Sequence, residues 1–373
     1  MVEWKYINDI IVSLRTGLNP RQNFRLNTPE SYFPYITGKD IFNNKINVTS
    51  VTDKVDSKAV ELINKRANLE DNLLLFASTG TGTVGRMAIV DKYENDWAIS
   101  ETLYAIKTSQ AISPQFLMYS LYSYIAKKQY EPKISKGSVP HLKIADLLKV
   151  KIPVPVISEQ QRIVGILDTF TSSIENLKEQ IAQRRKQYEF YRDQLLDLEG
   201  KEGVEMKIEE FCLLKAGKSV SADDISEYYH KNNYPCIGGN GVRGYVPLYS
   251  HEGEYPIIGR QGALCGCVNW ITGKFYATEH AVVASGYDGI NQRFLFYLFE
   301  NADLNQYKTQ GAQPGLSVTK LNEVKFKIPP LQEQQRIVTI LDTFESSIQN
   351  LEAQLKQREK QYEYYRNKLL TFE

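Results

Sequence analysis

The chain has 373 residues, room for two or three domains with cores of their own, and 45 Lys and Arg against 44 Asp and Glu leave a net charge of +1. It contains no run of 18 apolar residues, and residues 1–10 lack a basic start followed by an apolar stretch, so neither a membrane span nor a signal peptide is expected. Its four cysteines, Cys212, Cys236, Cys265 and Cys267, all fall in the second half without a disulfide-framework spacing, which points to a reducing cytoplasm.

Residues 1–153 read as a mixed, mostly β unit. Turn-rich segments at residues 16–20 and 43–44 separate short alternating runs at residues 35–36 and 47–49. Residues 72–77 have the pattern of a buried strand. Ser113-Pro114 opens a helix expected over residues 115–128, with Phe116, Leu117, Leu121 and Ile125 on its apolar face. A short helix at residues 142–148 leads into a β-like run at 150–152, and Pro153 and Pro155 are expected to end regular structure there. Gly80-Thr81-Gly82-Thr83-Val84-Gly85 fits the dinucleotide pattern G-x-G-x-x-G. Residues 86–91 then read as a strand and not as a helix that could receive pyrophosphate, so a tight turn is the better reading. Residues 1–151 carry 20 Lys and Arg against 15 Asp and Glu, the one distinctly basic segment of the chain.

Residues 154–200 form a long helix whose sequence returns at residues 329–373. Residues 158–192 and 332–366, at a constant offset of 174, are identical at 25 of 35 positions, so the chain is an internal duplication. In the first copy apolar residues fall at Ile163, Leu167, Phe170, Ile174, Leu177, Ile181, Tyr188, Tyr191, Leu195 and Leu198; the second repeats the pattern from Ile337 to Phe372. Steps of four and three are the seam of a coiled coil, and each helix is the natural partner of the other. Arg184 and Arg358 are the charged exceptions in the seam, placed to fix helix register. Roughly forty residues at about 1.5 Å each make a rod of roughly 60 Å.

Residues 201–328 repeat the plan of the first unit with diverged loops. Residues 116–119 match 294–297; Gly137, Pro140 and Leu142 match Gly311, Pro314 and Leu316; residues 33–38 match 234–239. Related scaffolds with different loops suit the reading of two different things at a fixed distance. Gly217-Lys218-Ser219 looks like the end of a phosphate loop, but Cys212 stands where its first glycine belongs. Cys236, Cys265, Cys267 and His280 do not have the usual zinc spacing, and small buried hydrophobes are the better reading of these cysteines. With four histidines, no triad, no H-E-x-x-H and no adenine-methyltransferase Asn/Asp-Pro-Pro-Tyr/Phe motif, the chain is expected not to be an enzyme.

Residues 328–338, Ile-Pro-Pro-Leu-Gln-Glu-Gln-Gln-Arg-Ile-Val, and their twin at 154–164 resemble the conserved regions of type I restriction–modification specificity subunits. The first copy has Val154-Pro155-Val156 in place of the double proline. Trp4-Lys5, Thr79-Gly80-Thr81-Gly82 with Arg260-Gln261-Gly262, Thr278-Glu279-His280-Ala281 and Gly311-Ala312-Gln313-Pro314 extend the resemblance over the whole chain. It implies an α+β fold. Two pseudo-twofold-related mixed α/β target-recognition domains, residues 1–153 and 201–328, are joined by two long helices packed as an antiparallel coiled coil. Each domain would read half of a bipartite double-stranded DNA target, and the coiled coil would set the gap. The helices would dock two modification subunits, which bring S-adenosylmethionine and methylate an adenine in each half; restriction subunits, where present, add ATP- and Mg-dependent translocation and cleavage. No cofactor or metal is expected on this chain itself, and no membrane.

Geometry agrees with that implication, since about 3.4 Å per base pair lets such a rod cover two major-groove half-sites about a turn apart. Arg and Lys suit guanine, Asn and Gln suit adenine. Near the repeated glycine motifs these give Lys39, Arg86, Lys133 and Lys136 in the first unit, with Thr79 and Thr81 on the turn between strands. They give Asn240, Arg243, Arg260, Gln261 and Lys274 in the second. His141 and His280 read rather as satisfied core histidines. Gln160, Gln161 and Arg162, with Gln334, Gln335 and Arg336, form an outward set shared by both copies and are the expected docking residues. The competing reading is a scaffold whose helices hold two protein-binding heads.

Overall fold

The computed structural model describes residues 2–262, 265–309 and 315–372, so the Gly311-to-Pro314 motif lies outside the described residues. The chain divides into two compact units, one of residues 1–176 with 355–373, the other of residues 177–354. Each unit therefore combines a globular head with stretches of both long helices. The limits expected from the sequence separate heads from helices, whereas the apolar cores are shared between them. Ile163 and Leu167 of the first long helix and Leu370 of the second share one core with Phe116, Tyr119 and Leu121. In the other unit Leu195 and Leu196 join Ile337, Leu341 and Phe294.

In the first head, strand Glu3–Tyr6 pairs antiparallel with Lys151–Val154, and Trp4 lies opposite Pro153. Pro153 thus continues a strand instead of ending one. A two-stranded ribbon is all edge, where proline is tolerated. Beside it stands a four-stranded antiparallel sheet in the spatial order Ile11–Thr16, Leu103–Thr108, Leu74–Ala77, Met87–Ile89. Its side chains alternate between two cores, Leu74 and Phe76 toward the long helices, Leu75 and Ala77 toward helix Ser57–Ala67. That helix ends at Asn68, whose φ of 51° and N–H bond to Asn64 make a left-handed cap.

The helix expected over 115–128 is two helices, Pro114–Tyr122 and Tyr124–Tyr130. Ser123 between them is extended, its N–H bonds Ser120 and its hydroxyl accepts from the Ala126 N–H. One residue thereby stops a helix and caps the next, a competition with the backbone at which serine excels.

In the second head, Val204–Lys207 pairs with Lys325–Ile328, and a six-stranded sheet runs Cys212–Ala216, Ala281–Gly286, His251–Gly259, Val268–Ala277, Tyr234–Gly238, Gly241–Val246. Helix Gln292–Asn301 buries residues 294–299 against it and is capped by Asn291, whose side chain accepts from the N–H groups of Arg293 and Phe294. The duplication is visible in single bonds. Ile7 donates to Val150 and Ile208 to Val324, both at 2.9 Å. Each head also has a parallel pairing, Ile36 with Ile99 and Ile237 with Ala277.

The long helices span Ile157–Leu196 and Leu331–Thr371. In the second unit Tyr191 stacks on Phe344 at 5.4 Å and Arg185 bonds Glu352 at 2.5 Å, so the helices run antiparallel. In the first unit Phe170 stacks on Tyr365 at 5.5 Å. The seam arginines are reciprocal: Arg184 lies over Phe344 at 5.8 Å and Arg358 over Phe170 at 5.7 Å, each positioned by its opposite helix. Among the described residues no helix is long and apolar enough to cross a membrane.

Candidate nucleic-acid interface

Three turns converge in each head. In the first, strand Phe33–Ile36 leads to Gly38 and Lys39, strand Leu74–Ala77 leads to the 79–85 turn, and residues 100–102 precede strand Leu103–Thr108. Backbone bonds lace them together: Ser100 donates to Ile36 at 2.9 Å and Ser78 to Thr102 at 2.8 Å. Gly17 lets the chain pass so close that a Cβ there would lie 1.8 Å from the Ile99 carbonyl oxygen. Between the turns lies a cleft of about 450 Å³ lined by, among others, Asn19, Arg21, Lys39, Thr79, Thr81 and Glu101.

Lys39 donates to Asp53 at 2.9 Å. That bond holds the Asp53 carboxyl below its ordinary range and raises the Lys39 ammonium. Glu101 accepts from the Asn19 amide at 2.9 Å and the Tyr35 hydroxyl at 3.2 Å; burial, with Glu101 second, pushes the Tyr35 hydroxyl up. The Thr79 hydroxyl meets His141 Nδ1 at 2.7 Å, and Gly80 donates to Pro140 at 3.0 Å, so the loop bearing exposed Lys136 adjoins the 79–85 turn. His141 is half-buried at this surface and is not a core histidine. Lys133 is also exposed. Arg86 is half-buried, donates to the Ile41 carbonyl at 3.3 Å and is not among the residues lining the cleft.

The second head rebuilds this junction with other side chains. Arg260 donates its N–H to His280 at 2.8 Å, and Thr278 to Ile237 at 2.9 Å. Gly239 packs so that a Cβ would lie 3.1 Å from the Gln261 oxygen and 3.2 Å from the His280 oxygen. Asn240, Arg260, Gln261 and His280 are thereby gathered, with exposed Arg243 beside Gly238. The Arg260 guanidinium donates to Leu316 at 3.3 Å. Glu279 faces His280 Nε2 at 3.3 Å, while Glu279 Oε2 and His280 Nδ1 are enclosed without a hydrogen-bond partner among the described residues. His280 is therefore no satisfied core histidine either. Lys274 stands apart from the junction, on strand Val268–Ala277 opposite Glu252 and 4.7 Å from the Tyr249 ring.

Cys236 and Cys265 are buried and Cys267 is exposed; among the described residues no group of three His, Cys, Asp or Glu could hold a metal. Burial raises the Cys236 thiol against the opposing pull of Arg243. An acidic residue stands at each junction, Glu101 in the first head and Glu279 in the second, and neither is among the site residues expected from the sequence. Their signal is Ser100-Glu101-Thr102 repeating as Thr278-Glu279-His280 at an offset of 178. Asn19 and Arg21 carry no comparable signal.

Of the outward set, Gln161, Arg162, Gln335 and Arg336 are exposed, and Arg162 and Arg336 each grip the glutamate three residues earlier. Gln160 and Gln334 are buried. The Gln160 amide bonds Ser113, Ala111 and Pro155, and that of Gln334 bonds Asn291, Gly289 and Pro329. An amide in a helix's first turn reads as solvated in a sequence; here the head covers it and supplies its partners.

The family model described as type I restriction modification DNA specificity domain matches residues 1–184 and again 201–359. The type I restriction enzyme EcoprrI specificity subunit of Escherichia coli is 35% identical over 363 residues, covering 92% of this chain and 88% of that one. A putative type I restriction enzyme specificity subunit of Haemophilus influenzae is 34% identical over 333 residues, covering 81% and 83%. The crystal structure of a type I restriction-modification S subunit from M. genitalium has the same fold, with a TM-score of 0.66 at 17% identity over 99% of this chain and 96% of that one. With two matched copies of the specificity domain and relatives aligned over nearly its full length, the chain belongs to the type I restriction–modification DNA specificity family.

Proposed function

We propose that this chain is a non-catalytic recognition subunit in which the two heads each read one half of a bipartite duplex target. The observation that carries the reading is the three-turn junction, built twice on one backbone plan and lined by different side chains: Lys39, Thr79 and Thr81 in one, Asn240, Arg260 and Gln261 in the other. Constant scaffold with divergent donors and acceptors is what two different half-sites require. Arg243, Lys133 and Lys136 are exposed at or near the junctions and suit phosphates. Arg86 and Lys274 are proposed to contact DNA only at the margin of the interface. Family membership favours this reading over a protein-binding scaffold.

Two modification subunits would dock on the long helices through Gln161 and Arg162 and through Gln335 and Arg336, a surface that the duplication presents twice. S-adenosylmethionine, ATP and magnesium would then belong to partner subunits, and a target adenine would be flipped into the partner's pocket. A cytoplasmic location suits that chemistry. The domain limits remain those proposed from the repeat, residues 154–200 and 329–373 for the conserved helical segments and 1–153 and 201–328 for the recognition domains.

The test is single-molecule sequencing of DNA from cells expressing the chain with the modification subunit encoded beside it. Adenine methylation at one asymmetric bipartite motif with a fixed gap is expected. A soluble complex that leaves DNA unmethylated and binds duplex without salt dependence would count against recognition.

A further inference from the structure

The buried glutamines have companions. Eight residues along the first long helix from Gln160, Asp168 accepts the Tyr119 hydroxyl at 2.5 Å; eight residues from Gln334, Asp342 accepts the Tyr297 hydroxyl at 2.6 Å. Ser113, bonded by Gln160 at 2.9 Å, is the N-cap of helix Pro114–Tyr122, and Asn291, bonded by Gln334 at 2.8 Å, is the N-cap of helix Gln292–Asn301. In both heads, then, the principal head helix is tied to the long helix at its cap and again two turns on. Eight residues at about 1.5 Å separate the two ties by roughly 12 Å.

We infer that Gln160 with Tyr119–Asp168, and Gln334 with Tyr297–Asp342, are positioning groups that fix the angle of each head on its long helix and so set how strictly the complex selects the gap between half-sites. The inference rests on the bipartite reading. Apolar contact alone holds a helix to its neighbour but lets it roll and slide at little cost, because dispersion is non-directional. Hydrogen bonds are directional, and two of them well apart leave only the line that joins them to turn about, a motion the packed apolar contact opposes. Gln160, Gln334, Tyr119 and Tyr297 are all buried, where an unmade bond is costly, while the Asp168 carboxylate reaches the surface and that of Asp342 is partly open. The second head carries a further tie: Arg293 donates to Asp342 at 2.8 Å, pairs with Glu345 and lies 4.9 Å from the Trp270 ring. The matching position in the first head is Gln115, so the first head is held by fewer ties.

The experiment uses the full chain with its modification subunit and duplexes carrying both half-sites at the native gap or at one base pair more or less. For Y119F, Q160M and the double variant, the preference for the native gap should fall roughly tenfold, the scale of one or two lost hydrogen bonds, while binding to a single half-site stays unchanged. Hydrogen exchange at the Ser113 amide should quicken in Q160M. Y297F should relax the gap less than Y119F, because Arg293 still holds Asp342. An unchanged gap preference in folded complexes, or an equal loss of rate at every gap, would overturn the positioning role. A wild-type complex that methylates no bipartite site would instead sink the recognition reading, and the positioning role with it.

Discussion

Lys39 sits at the mouth of the first head's cleft, yet its ammonium is engaged by Asp53. Removing that carboxylate frees a cation for phosphate, so D53N should bind duplex more tightly and steepen the logarithmic salt slope by about one unit. The same variant tests linkage. Asp53 is held below its ordinary range, so its contribution to stability is present above the usual carboxylate pKa and lost as pH falls through the lowered one. D53N should therefore flatten the acid limb of the first unit's melting profile. Glycines make a second contrast. A Cβ at Gly17 would strike Ile99, and one at Gly217 would lie 2.0 Å from the Ala277 carbonyl oxygen. G17A should cost about 3 kcal/mol in the first head and G217A the same in the second, read by limited proteolysis of each head. Such close approaches leave no mark in a local sequence pattern, because the partner strand is far away in the chain. For the same reason Gln160 and Gln334 read as solvated: what covers them comes from residues 111–113 and 289–291.

The long helices were legible because a seam of threes and fours repeated over forty residues is set by helix geometry alone. What the pattern could not distinguish is what each part of the seam touches. Ile163, Leu167, Ile337 and Leu341 enter head cores, whereas Phe170, Phe344, Tyr191 and Tyr365 meet across the helix pair. The arginine exceptions make a matched pair of cation–aromatic stacks. R184A with R358A should lower stability by about 1–2 kcal/mol, measured as a shift in the urea midpoint of the helical signal, with each single variant giving about half. The break at Ser123 was hidden for a local reason. The apolar face continues across it, and a single extended residue costs the periodicity almost nothing.

At the scale of the molecule, the family and the head–helix–head–helix order were readable from a duplication in which residue types recur at a constant offset. The grouping into units was not, because it depends on antiparallel pairing between segments at opposite ends of the chain. The first unit needs residues 355–373, and Tyr124 even donates its N–H to Asn367 across that distance. A chain cut after residue 354 should keep the second unit protected against protease while the first is digested, with Phe170 and Leu167 uncovered. Synthesis imposes the same condition in time. Roughly 180 residues separate the first unit's two segments, and at roughly 5–20 residues per second the ribosome needs on the order of ten to forty seconds to deliver the second. Throughout that interval the nascent first head holds out half a helix pair with its apolar stripe open to water, and residues 355–373 are the ones that close it.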